Sequence, residues 1–220
     1  MTSPSTPDRG AERLRMVEQH IAARGVRAPR VLAAMRTVRR EDFVPAELAG
    51  SAYEDAPLPI AEGQTISQPY IVAVMMEALE LMGLERVLEV GTGSGYAAAV
   101  LAELAREVYT IERRATHALA AAERLRRCGY ANVHVRRGDG TLGWPESAPF
   151  DAIVVAAATP KIPAALREQL ALGGRLVVPV GDAVGSQELV RVRRWSEAGY
   201  LEEELGPVRF VPLIGDSKSS

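Results

Sequence analysis

The sequence predicts an α/β protein whose central sheet is mostly parallel and doubly wound, with helices on both faces. Short apolar strands alternate with helices between residues 86 and 180, a pattern typical of parallel strands joined by helical crossovers. A glycine-rich turn at residues 91–95 follows the first of these strands and opens a helix. After Gly181 an apolar–basic alternation without a helix indicates antiparallel strands added to the sheet.

The chain is predicted to form one domain after a short lead. Residues 1–10 are rich in Ser, Thr and Pro and predict a disordered lead. Residues 11–220 predict a single domain, of which 11–82 form a helical region with a loop. The sheet core occupies residues 86–181, and the terminal strands lie within 187–213.

Three helices are predicted before the core. Leu14, Val17 and Ile21 recur at helical spacing and mark the first amphipathic helix. Residues 31–38 mark the second in the same way. Residues 71–82 are almost wholly apolar, which predicts a buried helix.

The loop before this third helix is interrupted by prolines. Pro45, Pro57 and Pro59 argue against regular structure there, because proline lacks the backbone donor that helices and sheets use. Ser67 supplies capping chemistry for the helix, and Pro69 suits its first turn.

The core elements alternate in a regular order. Each strand is short and apolar, and each helix carries one apolar face. The predicted strands are 87–90, 108–112, 133–135, 152–155 and 175–180; the helices are 96–106, 115–127 and 162–170; the terminal strands are 189–194 and 208–213.

Few side chains in this sequence are reactive. Cys128 is the one cysteine, so neither an intrachain disulfide nor a cysteine zinc cluster is expected. His20, His117 and His134 are not spaced as a pair of metal ligands on a helix, and no metal site is predicted. Either the protein is not an enzyme, or a cofactor brings the reactive group.

Charge and hydropathy argue against nucleic-acid and membrane partners. The net charge is −2, so the arginine clusters at 124–127 and 191–194 are interpreted as ion-paired, solvated faces. No stretch approaches the ~20 apolar residues of a membrane span, and residues 1–10 lack an apolar secretory core. A cytoplasmic monomer is therefore expected.

The strongest local signal is the turn made by Gly91, Thr92, Gly93, Ser94 and Gly95. Glycines allow a ligand to approach the backbone closely, and the helix that follows presents free N–H groups. Glu112 ends the next strand, 21 positions after Gly91, close to the ~20 expected of an acid that holds ribose hydroxyls. Asp139 and Gly140 follow the third strand and reach the same edge of the sheet.

These residues suit an adenosine-type ligand, and Glu89 discriminates between two cofactors of that type. Nicotinamide cofactors usually bring G-x-G-x-x-G, whereas the spacing here is G-x-G-x-G with Glu89 two positions before Gly91. An acid at that position would attract the amino group of S-adenosylmethionine and repel a pyrophosphate. S-adenosylmethionine is therefore favoured over a nicotinamide cofactor.

Several longer motifs resemble those of protein-L-isoaspartate O-methyltransferases, a family with a Rossmann-like fold. The resemblance extends over about residues 14–213, nearly the whole chain. The matching segments are APLPI at 56–60, GQTISQPY at 63–70, VLEVGTGSGY at 87–96, GDG at 138–140, GWP at 143–145, APFDAI at 148–153 and VRFVPL at 208–213.

The resemblance implies a set of site residues. Ser67, the serine of the T-I-S motif, would be the active-site residue. The implied cofactor positions are Ser67, Gln68, Pro69, Tyr70, Glu89, Gly91, Thr92, Gly93, Ser94, Gly95, Glu112, Asp139 and Gly140. The implied substrate positions are Ile60, Gln64, Thr65 and Val211.

The resemblance also implies an activity, the repair of damaged proteins and peptides. A methyl group would pass from S-adenosylmethionine to the α-carboxylate of L-isoaspartyl residues, leaving S-adenosylhomocysteine. Such a carboxylate, with a pKa near ~3.5, is ionised at neutral pH, so no general base is expected. Ser67 is expected to orient that carboxylate by a hydrogen bond.

Three other functions remain as alternatives at this point. One is a carboxyl methyltransferase of the same family that modifies a peptide natural product, although no recognition domain is expected after Leu213. The second is a nicotinamide-dependent oxidoreductase, which the glycine spacing and Glu89 oppose. The third is a non-catalytic binding protein, which the presence of Ser67, Glu89, Glu112 and Asp139 opposes.

Overall fold

The computed structural model describes residues 9–182 and 185–215. Residues 1–8 of the predicted lead therefore lie outside the described residues, and the first helix begins at Gly10. The helices are α1 Gly10–Arg15, α2 Pro29–Thr37, α3 Pro69–Leu79, α4 Tyr96–Ala102, α5 Ala115–Arg127 and α6 Ala164–Glu168. The strands are β1 Leu58–Pro59, β2 Thr65–Ile66, β3 Arg86–Val90, β4 Glu107–Glu112, β5 Val133–Arg137, β6 Phe150–Val155, β7 Leu170–Gly181, β8 Gln187–Arg194 and β9 Tyr200–Val208.

A seven-stranded sheet forms the centre of the fold, in the order β5-β4-β3-β6-β7-β8-β9. The strands β5, β4, β3, β6 and β7 are parallel, whereas β8 and β9 are antiparallel additions. The predicted mostly parallel sheet with antiparallel terminal strands is confirmed. The chain order reverses between β3 and β6, and ligands of open α/β sheets bind at such a reversal, beyond the carboxyl ends of the strands.

Strand β3 is buried on both of its faces. Val87 packs into an apolar cluster with side chains of α2, α3 and α4. Leu88 and Val90 point to the opposite face, where they pack with Leu166 of α6. A parallel strand covered by helices on both sides is a nearly continuous apolar run in the sequence, and 87–90 was recognisable because Glu89 alone interrupts that run.

The first helix differs from its prediction. It continues from α1 as a π-helix, Met16–Ile21, in which Met16, Val17 and Ile21 are buried. Leu14, predicted on the apolar face, is 49% exposed. A π-helix bonds each residue to the fifth one on, so each turn holds an extra residue and the buried face shifts along the sequence.

Helix α3 begins and ends earlier than predicted. Pro69 takes the first helical position, as expected, but neither Ser67 nor Gln68 caps the helix through its side chain. The helix ends at Leu79, since Glu80 adopts a left-handed conformation with φ 52°. The carboxylate of Glu80 there meets arginines of β8, Arg191 and Arg193.

The predicted strand at 208–213 is wrong. The last strand of the sheet is β9, and residues 209–213 form no strand, although Pro212 makes an isolated bridge to Ala158. Strand β9 is an edge strand with exposed acids, and Glu203 pairs with Arg191 of β8. Exposed charge on an edge strand masks the apolar alternation that identifies a strand.

Strand β7 and helix α6 also differ from their predicted bounds. The break expected at Gly173 and Gly174 is an irregularity within β7, where the pairing partners of Phe150 and Ala152 are Leu170 and Arg175. The strand therefore begins at Leu170, and α6 is limited to five residues.

Candidate functional site

The glycine loop between β3 and α4 lies at the reversal of the sheet. Gly91, Gly93 and Gly95 have φ of 97°, 52° and 90°, values that side chains disfavour. The N–H of Gly91 donates to the carbonyl of Ile111 on β4 at 2.9 Å, which fixes the loop to the neighbouring strand. Thr92 and Ser94, between the glycines, are buried.

Glu112 ends β4 and binds the glycine loop directly. Its Oε2 accepts a hydrogen bond from the Gly93 N–H at 2.9 Å, and its Oε1 accepts one from the Arg114 N–H at 2.9 Å. The side chain is 8% exposed. The carboxylate thus holds both the glycine loop and the segment that leads into α5.

Glu89 is fully buried beside the loop, and its partner is a hydroxyl, not a cation. Thr110 on β4 donates to Glu89 Oε2 at 2.5 Å, and the hydroxyls of Thr92 and Thr110 are 2.5 Å apart. Glu89 Oε1 has no hydrogen-bond partner within the described part of the chain. Burial raises the pKa of Glu89 to about 8, opposed by the Thr110 hydrogen bond and reinforced by the charge of Glu112.

Asp139 and Gly140 follow β5 at the same edge. Asp139 Oδ1 accepts hydrogen bonds from the Thr141 backbone at 2.8 Å and from its hydroxyl at 2.7 Å. A Cβ on Gly140 would lie 2.3 Å from Cγ1 of Val90, so only glycine fits against the end of β3. This contact explains the glycine at position 140 in terms of packing.

The loop predicted to be irregular contains a small hairpin. Strands β1 and β2 pair antiparallel, Leu58 with Ile66 and Pro59 with Thr65. Two-residue strands can include a proline at a sheet edge, so the proline-based expectation missed them. Thr65 is exposed, and Gln64 accepts a backbone hydrogen bond from Ile60 at 2.8 Å.

The tip of the hairpin lies against the glycine loop and the start of α5. A Cβ on Gly93 would be 3.8 Å from Cδ1 of Ile60. The His117 ring is 3.1 Å from the carbonyl of Ala61, and Arg114 pairs with Glu62 at 2.6 Å. The predicted substrate residue Ile60 and cofactor residue Gly93 are therefore neighbours.

Ser67 connects β2 to α3. Ile66 before it is buried, and Pro69 after it is buried at the first position of α3. The Ser67 side chain is half-buried and makes no hydrogen bond to any residue that the structure describes. Gln68 and Tyr70, by contrast, contact Asp55 and Arg24.

The terminal segment with Val211 reaches the site at the end of β6. Ala158, three residues after β6, donates its N–H to the Val211 carbonyl at 2.8 Å and accepts from the Leu213 N–H at 2.6 Å. Gln187, 3% exposed, accepts from the Phe210 N–H at 2.7 Å. Val211 is thus fixed at the sheet edge that bears the glycine loop.

Several residues that contact the predicted site had no recognisable sequence signal. Arg24, Asp55 and Gln187 are held by contacts to residues far along the chain. Arg40, outside the predicted site, was missed as well: it is fully buried, its guanidinium lies 4.8 Å from the ring centre of Tyr96, and burial lowers its pKa. Such contacts depend on tertiary structure, so no local sequence pattern predicts them.

The sheet order, the glycine loop at its reversal and the two acids beside that loop define an S-adenosylmethionine-dependent methyltransferase with a Rossmann-like fold. The family described as Protein-L-isoaspartate(D-aspartate) O-methyltransferase (PCMT) matches residues 11–218. The chain belongs to this family.

Individual relatives agree with that assignment. A protein-L-isoaspartate O-methyltransferase of Rhodopseudomonas palustris (strain ATCC BAA-98 / CGA009) is 62% identical over 200 residues, 91% of this chain and 92% of the relative. A protein-L-isoaspartate O-methyltransferase 1 of Geotalea uraniireducens (strain Rf4) is 60% identical over 200 residues, 91% of each chain. These findings do not support the oxidoreductase or natural-product alternatives.

Solved structures share the fold. One protein-L-isoaspartate O-methyltransferase superposes with a TM-score of 0.82 at 27% identity, covering 94% of this chain and 66% of the other. A Plasmodium falciparum protein of the same description, solved with S-adenosyl-L-homocysteine, gives a TM-score of 0.80 at 23% identity over 92% of this chain and 98% of the other.

Proposed function

We infer that this chain is a protein repair enzyme. It transfers a methyl group from S-adenosylmethionine to the α-carboxylate of L-isoaspartyl residues in damaged proteins and peptides, and leaves S-adenosylhomocysteine. The observation that carries this inference is the family match over residues 11–218. The position of the hairpin tip, where Ile60 lies beside Gly93 of the glycine loop, supports it.

The residues around the glycine loop fit S-adenosylmethionine. Glu89 Oε1 is a buried carboxylate oxygen without a partner among residues 9–182 and 185–215, and a cationic amino group would satisfy it. The glycine loop would accommodate the nucleoside backbone, and Glu112 would contact the ribose. We assign Asp139, Gly140 and residues 67–70 to the rest of the cofactor site.

The substrate side would be formed by the hairpin and the terminal segment. Ile60 and Gln64 lie at the hairpin tip, Thr65 is exposed on β2, and Val211 is held at the end of β6. The structure places Ile60 beside Gly93, so a peptide bound to these residues would reach the glycine loop.

The proposed chemistry needs alignment more than acid–base catalysis. S-adenosylmethionine supplies an electrophilic methyl group on a cationic sulfur. The substrate carboxylate is ionised at neutral pH, with a pKa near ~3.5, so no side chain has to remove a proton. The Ser67 hydroxyl would donate a hydrogen bond to this carboxylate and orient one oxygen for attack. The hairpin would exclude water, which strengthens the attraction between opposite charges.

The decisive experiment offers two peptides that differ in one linkage. An isoaspartyl peptide and its aspartyl twin are incubated with the enzyme and methyl-labelled S-adenosylmethionine. We expect label in the isoaspartyl peptide only, as a base-labile ester. Methylation of neither peptide would refute the repair function, and equal methylation of both would refute its specificity.

We also propose that the enzyme acts as a cytoplasmic monomer without nucleic-acid or membrane partners. Arg191 and Arg193 form ion pairs with Glu80 and Glu203, which leaves little of that cluster for phosphates. No helix in the described residues is long and apolar enough to cross a membrane. Sedimentation of the enzyme, alone and with duplex DNA, would test the oligomeric state and the nucleic-acid expectation.

A further inference from the structure

Asp55 holds the residue that follows Ser67. The Gln68 side-chain amide donates to the Asp55 carbonyl at 3.0 Å and to its carboxylate Oδ2 at 2.9 Å. Asp55 and Gln68 face each other just outside the paired residues Leu58 and Ile66. These two hydrogen bonds therefore close the open end of the β1–β2 hairpin.

Arg24 connects the open end of the hairpin to the N-terminal helical region. Its guanidinium donates to Asp55 Oδ2 at 2.7 Å, the same oxygen that Gln68 contacts. The guanidinium also lies 3.5 Å from the ring centre of Tyr70, in the first turn of α3. Arg24 and Asp55 thus contact the residues one and three positions after Ser67.

The side chain of Ser67, unlike those of Gln68 and Tyr70, has no such contact. Its backbone is fixed on one side by Ile66 in β2 and on the other by Gln68 and Pro69. Because its hydroxyl has no protein partner among the described residues, the direction of the side chain depends on this backbone. A residue before proline is restricted to extended conformations, and the Asp55 contacts select one of them for Gln68.

We propose that Asp55 and Arg24 are positioning residues for the methyl transfer, which hold the Ser67 hydroxyl at the substrate carboxylate by anchoring Gln68 and Tyr70. This proposal rests on the proposed function. Reactions that depend on alignment are sensitive to shifts of about 1 Å in the groups that hold the reactants. The N-terminal region would then contribute to catalysis through Arg24.

The ion pair is poorly suited to a purely stabilising role. The Arg24 side chain is 45% exposed and that of Asp55 17% exposed. Exposed ion pairs contribute little to folding, because water screens them and long side chains lose freedom. A large catalytic effect with a small effect on stability is therefore the signature of positioning.

The test measures the single-turnover rate of methyl transfer at saturating isoaspartyl peptide and cofactor. Asp55→Ala is expected to lower this rate about ten-fold or more, with the melting temperature within a few degrees of the parent. Asp55→Asn keeps an acceptor for Gln68 and should recover part of the rate. Arg24→Ala should lower the rate less in Asp55→Ala than in the parent, because Arg24 acts partly through Asp55 and partly through its direct contact with Tyr70.

A matched ion pair in the same region serves as the control. Arg36 and Glu18 are 2.7 Å apart, exposed, and belong to the N-terminal helices. Arg36→Ala and Glu18→Ala should leave the rate unchanged. A rate for Asp55→Ala within about two-fold of the parent, or an Arg24→Ala effect of equal size in both backgrounds, would overturn the proposal.

Hydrogen exchange separates this proposal from the repair function. Asp55→Ala should accelerate amide exchange at residues 64–68 relative to the parent and to Arg36→Ala. If the parent methylates no isoaspartyl peptide, the repair function fails and the exchange result decides the positioning claim. If Asp55→Ala does not fold, Asp55→Asn and Arg24→Ala are judged by the same rate and exchange criteria.

Discussion

Glu89 and Thr110 pair across β3 and β4, and the threonine hydroxyl donates to Glu89 Oε2 at 2.5 Å. The same hydroxyl is 2.5 Å from that of Thr92 in the glycine loop. A buried acid in the central strand is thereby linked to the loop that follows it. Burial raises the pKa of Glu89 to about 8, so in the protein alone the acid is mostly protonated at neutral pH.

This raised pKa predicts how stability depends on pH. Between the ordinary pKa of 4.5 and about 8, the folded protein holds a proton at Glu89 that the unfolded chain releases. Stability should therefore fall as pH rises through this window, by about 5 kcal/mol in total. Glu89→Gln should lack this slope and exceed the parent in stability above pH 8. Urea unfolding at several pH values checks this, and parallel slopes in the two proteins would contradict it.

Glu112 should control cofactor affinity through the glycine loop. Glu112→Gln replaces one carboxylate oxygen by an NH2 group, which cannot accept a hydrogen bond. Either the N–H of Gly93 or that of Arg114 therefore loses its acceptor. One of the two hydrogen bonds is lost, and the proposed ribose contact is weakened. We expect S-adenosylhomocysteine to bind about ten-fold or more weakly, measured by titration calorimetry.

Glu107 provides a control on the same strand. It lies at the opposite end of β4, where its partner is the exposed His134. Glu107→Gln should bind S-adenosylhomocysteine as the parent does. Equal losses in the two variants would show that Glu112 acts only through the stability of β4.

The sequence was sufficient for elements that are determined by local patterns. Helix α5 has the predicted bounds, 115–127, because an amphipathic period of 3.6 residues is complete within the helix itself. The loop at 91–95 was recognised because its strand, glycines and helix are adjacent. The strand predicted from Val208 to Leu213 was wrong, because an apolar run also occurs where a segment packs against the edge of a sheet without forming a strand.

Contacts between distant residues explain most of what the sequence did not reveal. Asp55 and Gln68 are 13 positions apart, and Arg24 reaches Asp55 from a separate helical turn. Glu89 was recognised by its spacing from Gly91, but its contact with Thr110 exists only because β3 and β4 pair in this register. The exposed Leu14 reflects a π-helix, which a straight helical period does not anticipate.

Ser67→Ala should separate catalysis from stability. The hydroxyl has no hydrogen bond to the protein in the part of the chain that the structure describes, so its removal leaves no buried partner unsatisfied. We expect the melting temperature to stay near that of the parent and the turnover of isoaspartyl peptide to fall about ten-fold or more. Full activity in this variant would show that Ser67 does not orient the substrate.

Gln187 should affect substrate binding by holding the terminal segment. Its side chain accepts from the Phe210 N–H at 2.7 Å and donates to the carbonyls of Phe210 and Asp182, each at 3.2 Å. Gln187→Leu removes these hydrogen bonds and loosens Phe210, the neighbour of Val211, which we assign to the substrate side. We expect the KM for isoaspartyl peptides to rise about five-fold with little change in S-adenosylhomocysteine affinity, and a stability loss of about 1–3 kcal/mol.

Gln169 separates this effect from a general loss of packing. It is also buried, accepts from the Trp144 N–H at 2.7 Å and donates to the Leu142 carbonyl at 2.9 Å, and it makes no hydrogen bond to residues 209–213. Gln169→Leu should lose a similar amount of stability and keep the parent KM for peptide. Loss of either buried amide would have the same effect on KM if both variants raised it equally. The segment that carries Val211 would then have no specific part in binding the substrate.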